Sequence, residues 1–153
     1  MELIKATQLS FRKYGKVVNA PSDAPTSEAK EYKFWSDIAD YEIEGETEIG
    51  ICTVYRQPEN ILIGLERHIN TPEILIPMDA PFILPVLRDG NDEQSPELFK
   101  VDIGEAVVID NGVWHGPCLP YKVNQSSYFV IFKKGTPIDD VDKRNISPIH
   151  FEL

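Results

Sequence analysis

The sequence predicts an all-β domain of the sandwich or barrel class, on two observations. Short apolar segments recur through residues 48–134, and the gaps between them hold Pro, Gly, Asn or Asp. Proline is also abundant, with 12 in 153 residues, against about 5% in ordinary globular chains. Proline ends helices and is confined to turns and strand edges. Scattered prolines between apolar runs therefore mean many short strands.

The elements follow in order. Residues 1–19 open with a compact element in which Leu9, Phe11 and Tyr14 precede Gly15. That glycine reads as a turn or helix stop before a short strand at Val17–Val18. Residues 20–30 are small, polar and proline-bearing, hence a loop. Tyr32, Phe34 and Trp35 then stand close together as core or subunit contacts. Strands are expected at 48–55, 60–68, 73–78, 82–88, 98–103, 105–110 and 127–134. Between them, residues 57–60, 70–72, 89–92 and 110–112 have turn chemistry, and Asn111-Gly112 is the sharpest of these signals. Residues 135–153 carry Pro137, Pro148 and several acids, and read as an irregular tail packed on the outside. The whole forms one domain, residues 1–153. A flank with short helices spans 1–47, the barrel core 48–134 and the tail 135–153.

The charge balance removes whole classes of partner. With 15 Lys and Arg against 25 Asp and Glu, the net charge is −10. Binding nucleic acid requires clustered cations, and anionic membrane surfaces require them too. Neither partner is expected. No apolar run approaches the roughly 18–20 residues of a membrane span. Glu2 and Lys5 break the opening segment, so no signal peptide is expected there. Cys52 and Cys118 form no CxxC pair. Reduced thiols in a cytoplasmic protein are the expectation.

Two short patterns carry the candidate chemistry. Glu66 and His68 lie two apart on a strand, so they share a face and Arg67 takes the other. The turn at 70–72 would bring Glu73 back on the adjoining strand. The second pattern is Gly104-x5-Asp110-x-Gly112-x2-His115, a strand, a turn and a return. If both line one barrel, they join two imidazoles to two carboxylates. Such N/O donors suit manganese, iron, nickel, cobalt or zinc, with coordination positions left open for a substrate.

These patterns resemble the paired motifs of the cupin superfamily, G-x5-H-x-H-x4-E and G-x5-P-x-G-x2-H. Glu66 stands where the first His would be, and Asp110 replaces the Pro. A narrower resemblance is to the ureidoglycolate lyase family. Glu66-Arg67-His68 through Ile76-Pro77-Met78 is similar to that family's E-R-H-P-x-G-T-Q-A-F-I-P-M. Val113-Trp114-His115-Gly116-Pro117 is similar to the end of its Y-H-x-x-V-W-H-H-P. Weaker similarities lie at Phe11–Val17, Tyr32–Ala39 and Arg56-Gln57-Pro58.

The resemblance implies a cupin-type jelly-roll barrel. It also implies a C–N lyase that splits ureidoglycolate into glyoxylate and urea. His68, Glu73 and His115 would be ligands of a divalent metal, with nickel implied and manganese, iron or zinc as alternatives. Glu66 or Asp110 would be the base. The anionic substrate would need a cation, from Arg56 or Lys133 or, less readily, Arg67, or from the metal alone, and Trp114 would wall the pocket. A homodimer is implied, with contacts sought at Tyr32–Trp35. Three positions depart from the family runs: Glu73 stands for Gln, Asp110 for the first His and Gly116 for the last His. They leave open another metal-dependent cupin enzyme acting on a small acid or sugar, and a ligand-binding cupin without catalysis.

Overall fold

The structure is a computed structural model that describes residues 1–88 and 95–153. Two β-sheets face each other. The larger has seven strands, with β1 (Leu3–Lys5), β9 (Glu97–Val101), β8 (Phe82–Leu87), β11 (Trp114–His115), β6 (Ile61–Arg67) and β14 (Asp142–His150) in that spatial order, and β12 (Leu119–Pro120) also paired to β8. The smaller has five: β2 (Gly15–Val18), β10 (Ala106–Ile109), β7 (Glu73–Pro77), β13 (Gln125–Lys133) and β5 (Thr47–Tyr55). A separate hairpin joins β3 (Ser27–Ala29) to β4 (Tyr32–Phe34). Consecutive strands keep changing sheets, the jelly-roll arrangement expected from the sequence.

Alternation along the strands builds the core. Phe82, Leu84 and Val86 of β8 point between the sheets, where Phe99, Val101, Leu75, Val107, Ile109 and Tyr128 meet them. Phe11 and Tyr14 of the N-terminal flank close this core, with Phe11 edge-on to Phe99 at 5.1 Å. Ile83 and Leu87 of the same strand point outward. They pack with Leu62, Leu65, Leu98, Trp114 and Phe151 in a second cluster. All of β8 is therefore buried, although it contains Pro85. The missing N–H falls where pairing passes from β11 to β12, and the Pro85 carbonyl accepts the Gly116 N–H at 2.9 Å.

The tail differs from the expected irregular segment. Residues 142–150 form β14, the edge strand beside β6. Its sequence hides this, because it is polar and holds Pro148. The register shifts between Asn145 and Ile149, and that irregularity accommodates the proline. The N-terminal flank differs too. Residues 7–15 make successive turns stitched by Thr7 and Ser10. Among the described residues the only helix is α1 (Thr136–Asp139), of four residues. Tyr32 and Phe34 are exposed on their hairpin rather than in the core. The turn expected at 89–92 lies outside the described residues. No helix among them is long and apolar enough to cross a membrane.

Gly15 is the most constrained glycine. Its φ is +152°, and a methyl group there would meet the Val108 carbonyl oxygen at 1.8 Å. Gly15→Ala is expected to lower unfolding free energy by about 2–4 kcal/mol. Gly50→Ala, which meets nothing within 4 Å, should change it by less than about 1 kcal/mol. Urea denaturation of the two variants checks this.

Candidate metal centre

The chain crosses between the sheets twice at one corner. From β6 it passes through residues 68–72 into β7, and from β10 through 110–113 into β11. The two crossings brace each other. Gly112 N–H donates to the His68 carbonyl at 2.7 Å, and the Asn111 amide donates to the Ile69 carbonyl at 3.2 Å. Gly112 has φ +79°, the left-handed geometry that its position in the Asn-Gly turn requires. The Thr71 hydroxyl, buried, donates to the Pro72 carbonyl at 2.7 Å and accepts the Lys133 N–H at 3.0 Å. Glu66–Glu73 is thus a corner between sheets and not the single hairpin expected.

Four side chains converge at this corner. Glu73 Oε2 lies 2.8 Å from His115 Nε2 and 3.4 Å from His68 Nε2. Glu66 pairs with His115 in register and brings Oε1 to 3.8 Å from His115 Nε2. Ligand atoms of Glu66, His68 and His115 all lie within 4.8 Å of one another. His68, Glu73 and His115 are buried, whereas the Glu66 side chain is 44% exposed and marks the open side. Phe132, inward-facing on β13, walls the site with its ring 5.6 Å from that of His68.

The outer nitrogens fix the inner ones. His68 Nδ1–H donates to the Asp140 carbonyl at 2.8 Å, and His115 Nδ1–H to the Val113 carbonyl at 3.1 Å. A carbonyl can only accept, so Nδ1 carries the proton and each neutral ring turns a lone pair on Nε2 inward. Despite the short separations, His68 Nε2, His115 Nε2 and Glu73 Oε2 are all buried without a hydrogen-bond partner. Orphaned buried donor atoms are costly, and three of them around one point fit a divalent cation.

Where no cation is bound, protons on Nε2 would instead pair the two imidazoles with Glu73. Burial alone would raise the Glu73 pKa, but the charges of His115 and His68 outweigh it and hold the carboxyl at about 2. Burial alone would lower both imidazoles, but Glu73 outweighs it and raises each above its ordinary value. The Glu73 contribution to stability is present above pH 4.5 and lost as pH falls towards 2. The imidazole contributions are present below 6.5 and lost as pH rises through their raised values.

Asp140 is a positioning residue that the sequence reading missed. Besides its carbonyl bond to His68, its carboxylate accepts the N–H groups of Ile69 and Asn70 at 3.0 and 2.8 Å. Burial pushes this carboxyl up, but those two donors hold it below its usual range. No local signal marks Asp140, because its partners lie some seventy residues earlier in the chain.

The remaining expected site residues lie elsewhere. Trp114 points to the opposite face from its neighbour His115, with Arg67 4.5 Å and Arg144 5.8 Å from its ring centre. Arg67 also pairs with Asp142 at 3.1 Å on that face. Lys133 alternates with the inward-facing Phe132, so it points away from the ligands. Arg56 lies beyond Tyr55, at the far end of the β5–β13 ladder, beside His150 and Phe151. Asp110 is exposed on the turn, outside the converging set. Cys118 is buried in the core near Tyr128, and burial pushes its thiol well up. The Gly116 departure has a packing reason: a methyl group there would meet Leu62 Cδ1 at 2.7 Å.

The ureidoglycolate lyase family matches residues 1–152. The chain belongs to this family. Among solved structures it is similar to a 3,4-ketoisomerase from Helicobacter canadensis, with a TM-score of 0.51 and 15% identity over 83% of this chain and 88% of that one. It is also similar to procruciferin from Brassica napus, with a TM-score of 0.45 and 11% identity over 65% of this chain. A third is oxalate decarboxylase from Bacillus subtilis, with a TM-score of 0.46 and 15% identity over 95% of this chain. The chain spans only 22% of procruciferin and 30% of oxalate decarboxylase. No curated protein matches it in sequence. The family match and the strand topology together make the fold a cupin-type jelly roll.

Metal binding must displace the protons that the imidazoles hold. Affinity for zinc, followed by chelator competition, is expected to rise with pH from 5.5 to 8.5. Metal-free protein should be more stable to urea at pH 5.5 than at 8.5. Asp140→Ala keeps the carbonyl that holds His68 but removes the carboxylate that anchors the Ile69 and Asn70 N–H groups, so it should loosen the 68–72 corner and weaken zinc about tenfold.

Proposed function

We propose that this protein cleaves the carbinol C–N bond of ureidoglycolate, giving glyoxylate and urea. Family membership supports the lyase class. The observation that carries the reading is the set of buried, unpartnered donors on His68, His115 and Glu73. These three would hold a divalent metal, nickel first and manganese, iron or zinc as alternatives. Bound there, it would supply Lewis acidity towards the substrate's carboxylate and hydroxyl oxygens.

The chain's own groups would do the proton work. Glu66, on the open side, is the base and takes the hydroxyl proton. The hydroxyl oxygen becomes the aldehyde of glyoxylate as the C–N electron pair leaves with nitrogen. The same carboxyl, now protonated, returns the proton to that nitrogen, releasing urea. Atoms balance with no water consumed. Asp110, the other candidate base, plays no part in this scheme. A cytoplasmic location is part of the same proposal, and the free Cys52 and Cys118 support it. The protein is also proposed to pair as a homodimer. Exposed Ile49, Ile51 and Tyr55 on edge strand β5, with Tyr32 and Phe34, are the apolar surface that supports this.

Metal-loaded protein should release urea from ureidoglycolate, and Glu66→Gln should lower kcat about 10²–10⁴-fold while retaining metal. A coupled urea assay checks both. No turnover by loaded protein, with metal present in stoichiometric amount, would instead support a different cupin activity or a binding role.

A further inference from the structure

An anionic substrate approaching a chain of net charge −10 needs a local cation. The cations expected from the sequence lie elsewhere: Arg67 sits by Trp114 on the outer face, Lys133 points away and Arg56 is at the far end. The tail strand supplies another. In the β14–β6 ladder Lys143 stands directly opposite Glu66, and Glu66 stands directly opposite His115 in the β6–β11 pair. Residues paired in this way share a face, so Lys143, Glu66 and His115 form one row across the sheet. The flanking residues take the other face: Asp142 pairs with Arg67, and Arg144 lies by Trp114.

Lys143 is exposed, and its ammonium has no carboxylate within ion-pair distance among the described residues. It lies on the side where Glu66 opens the site to solvent. The next position along β6 on that face is Gly64, opposite Asn145. Gly64 carries no side chain, and among the described side chains only the Asn145 amide oxygen, 4.0 Å from where a Cβ would stand, reaches over that strip.

We infer that Lys143 binds the carboxylate of the substrate, as a substrate-binding residue of the site. The class of ligand is a small 2-hydroxy or 2-oxo acid whose carboxylate spans from the metal centre towards β14. The inference rests on the lyase reading for its substrate, but the cation's role is testable without turnover.

The test uses glyoxylate as the probe, titrated calorimetrically into metal-loaded full-length protein. Lys143→Ala should weaken glyoxylate about tenfold, with KM for ureidoglycolate raised in parallel. Lys143→Arg should bind within about threefold of wild type, because the charge is restored, and metal affinity should stay within about twofold in both variants. Glyoxylate binding by Lys143→Ala equal to wild type overturns the inference, as does a loss that tracks loss of metal, or failure of wild type to bind glyoxylate. The two readings fail separately. Lysine-dependent glyoxylate binding without urea release removes the reaction and keeps the cation. Urea release with KM indifferent to Lys143→Ala removes the cation and keeps the reaction.

Discussion

A carboxylate buried between two imidazole nitrogens is the constraint on which the site depends. Glu73 comes from the five-stranded sheet, and His115 and Glu66 from the seven-stranded one. Their approach therefore requires the two sheets to meet at this corner. Everything nearby serves that meeting. Gly112 closes the second crossing onto the first, Thr71 ties the corner to β13, and Asp140 holds His68 from behind. Without a cation, the inner atoms are satisfied only when protons on the imidazole nitrogens pair them with Glu73, and with neutral rings they would remain buried and unsatisfied. The arrangement fits an ion that both sheets would share.

The fold was largely legible in the sequence, because strand periodicity and turn residues are local signals. The strands from 48 to 134 appear close to their expected limits, and the Asn111-Gly112 turn lies where its chemistry demands. Three of the four converging side chains came from spacing along single strands and turns: Glu66 with His68 by alternation, His115 by its distance from the glycines. Glu73 is placed by spacing as well, but across a corner and not a hairpin, since nothing local shows that β6 and β7 belong to different sheets. The features that escaped notice are the long-range ones. β14 is polar, carries a proline and gains its strand character only from pairing with β6. Asp140 acts through its backbone carbonyl, which every residue has. The same alternation rule that found His68 places Trp114 and Lys133 away from the site, once the inward face is known from Phe132 and His115.

The acidic composition acquires a geometry. Glu73 is the one carboxylate of the proposed donor set, and with the Glu66 base beside it a dication's charge would be balanced, leaving an anionic substrate with little net attraction from the centre alone. The edge strand at the end of the chain then matters for more than stability. It follows closely on Asp140, holds Arg67 and Arg144 on the outer face, and presents Lys143 on the inner one. A tail with no strand signature in its sequence thereby lines one edge of β6 and places side chains on both faces of the sheet there.

Anomalous diffraction from crystals of the metal-loaded protein tests the central claim most directly. One peak is expected at the corner between the sheets, about 2.0–2.2 Å from His68 Nε2, His115 Nε2 and a Glu73 oxygen, with the imidazole Nδ1 atoms still bonded to the Asp140 and Val113 carbonyls. A map with no peak there, and with Glu73 hydrogen-bonded to protonated imidazoles or to water, would contradict the account.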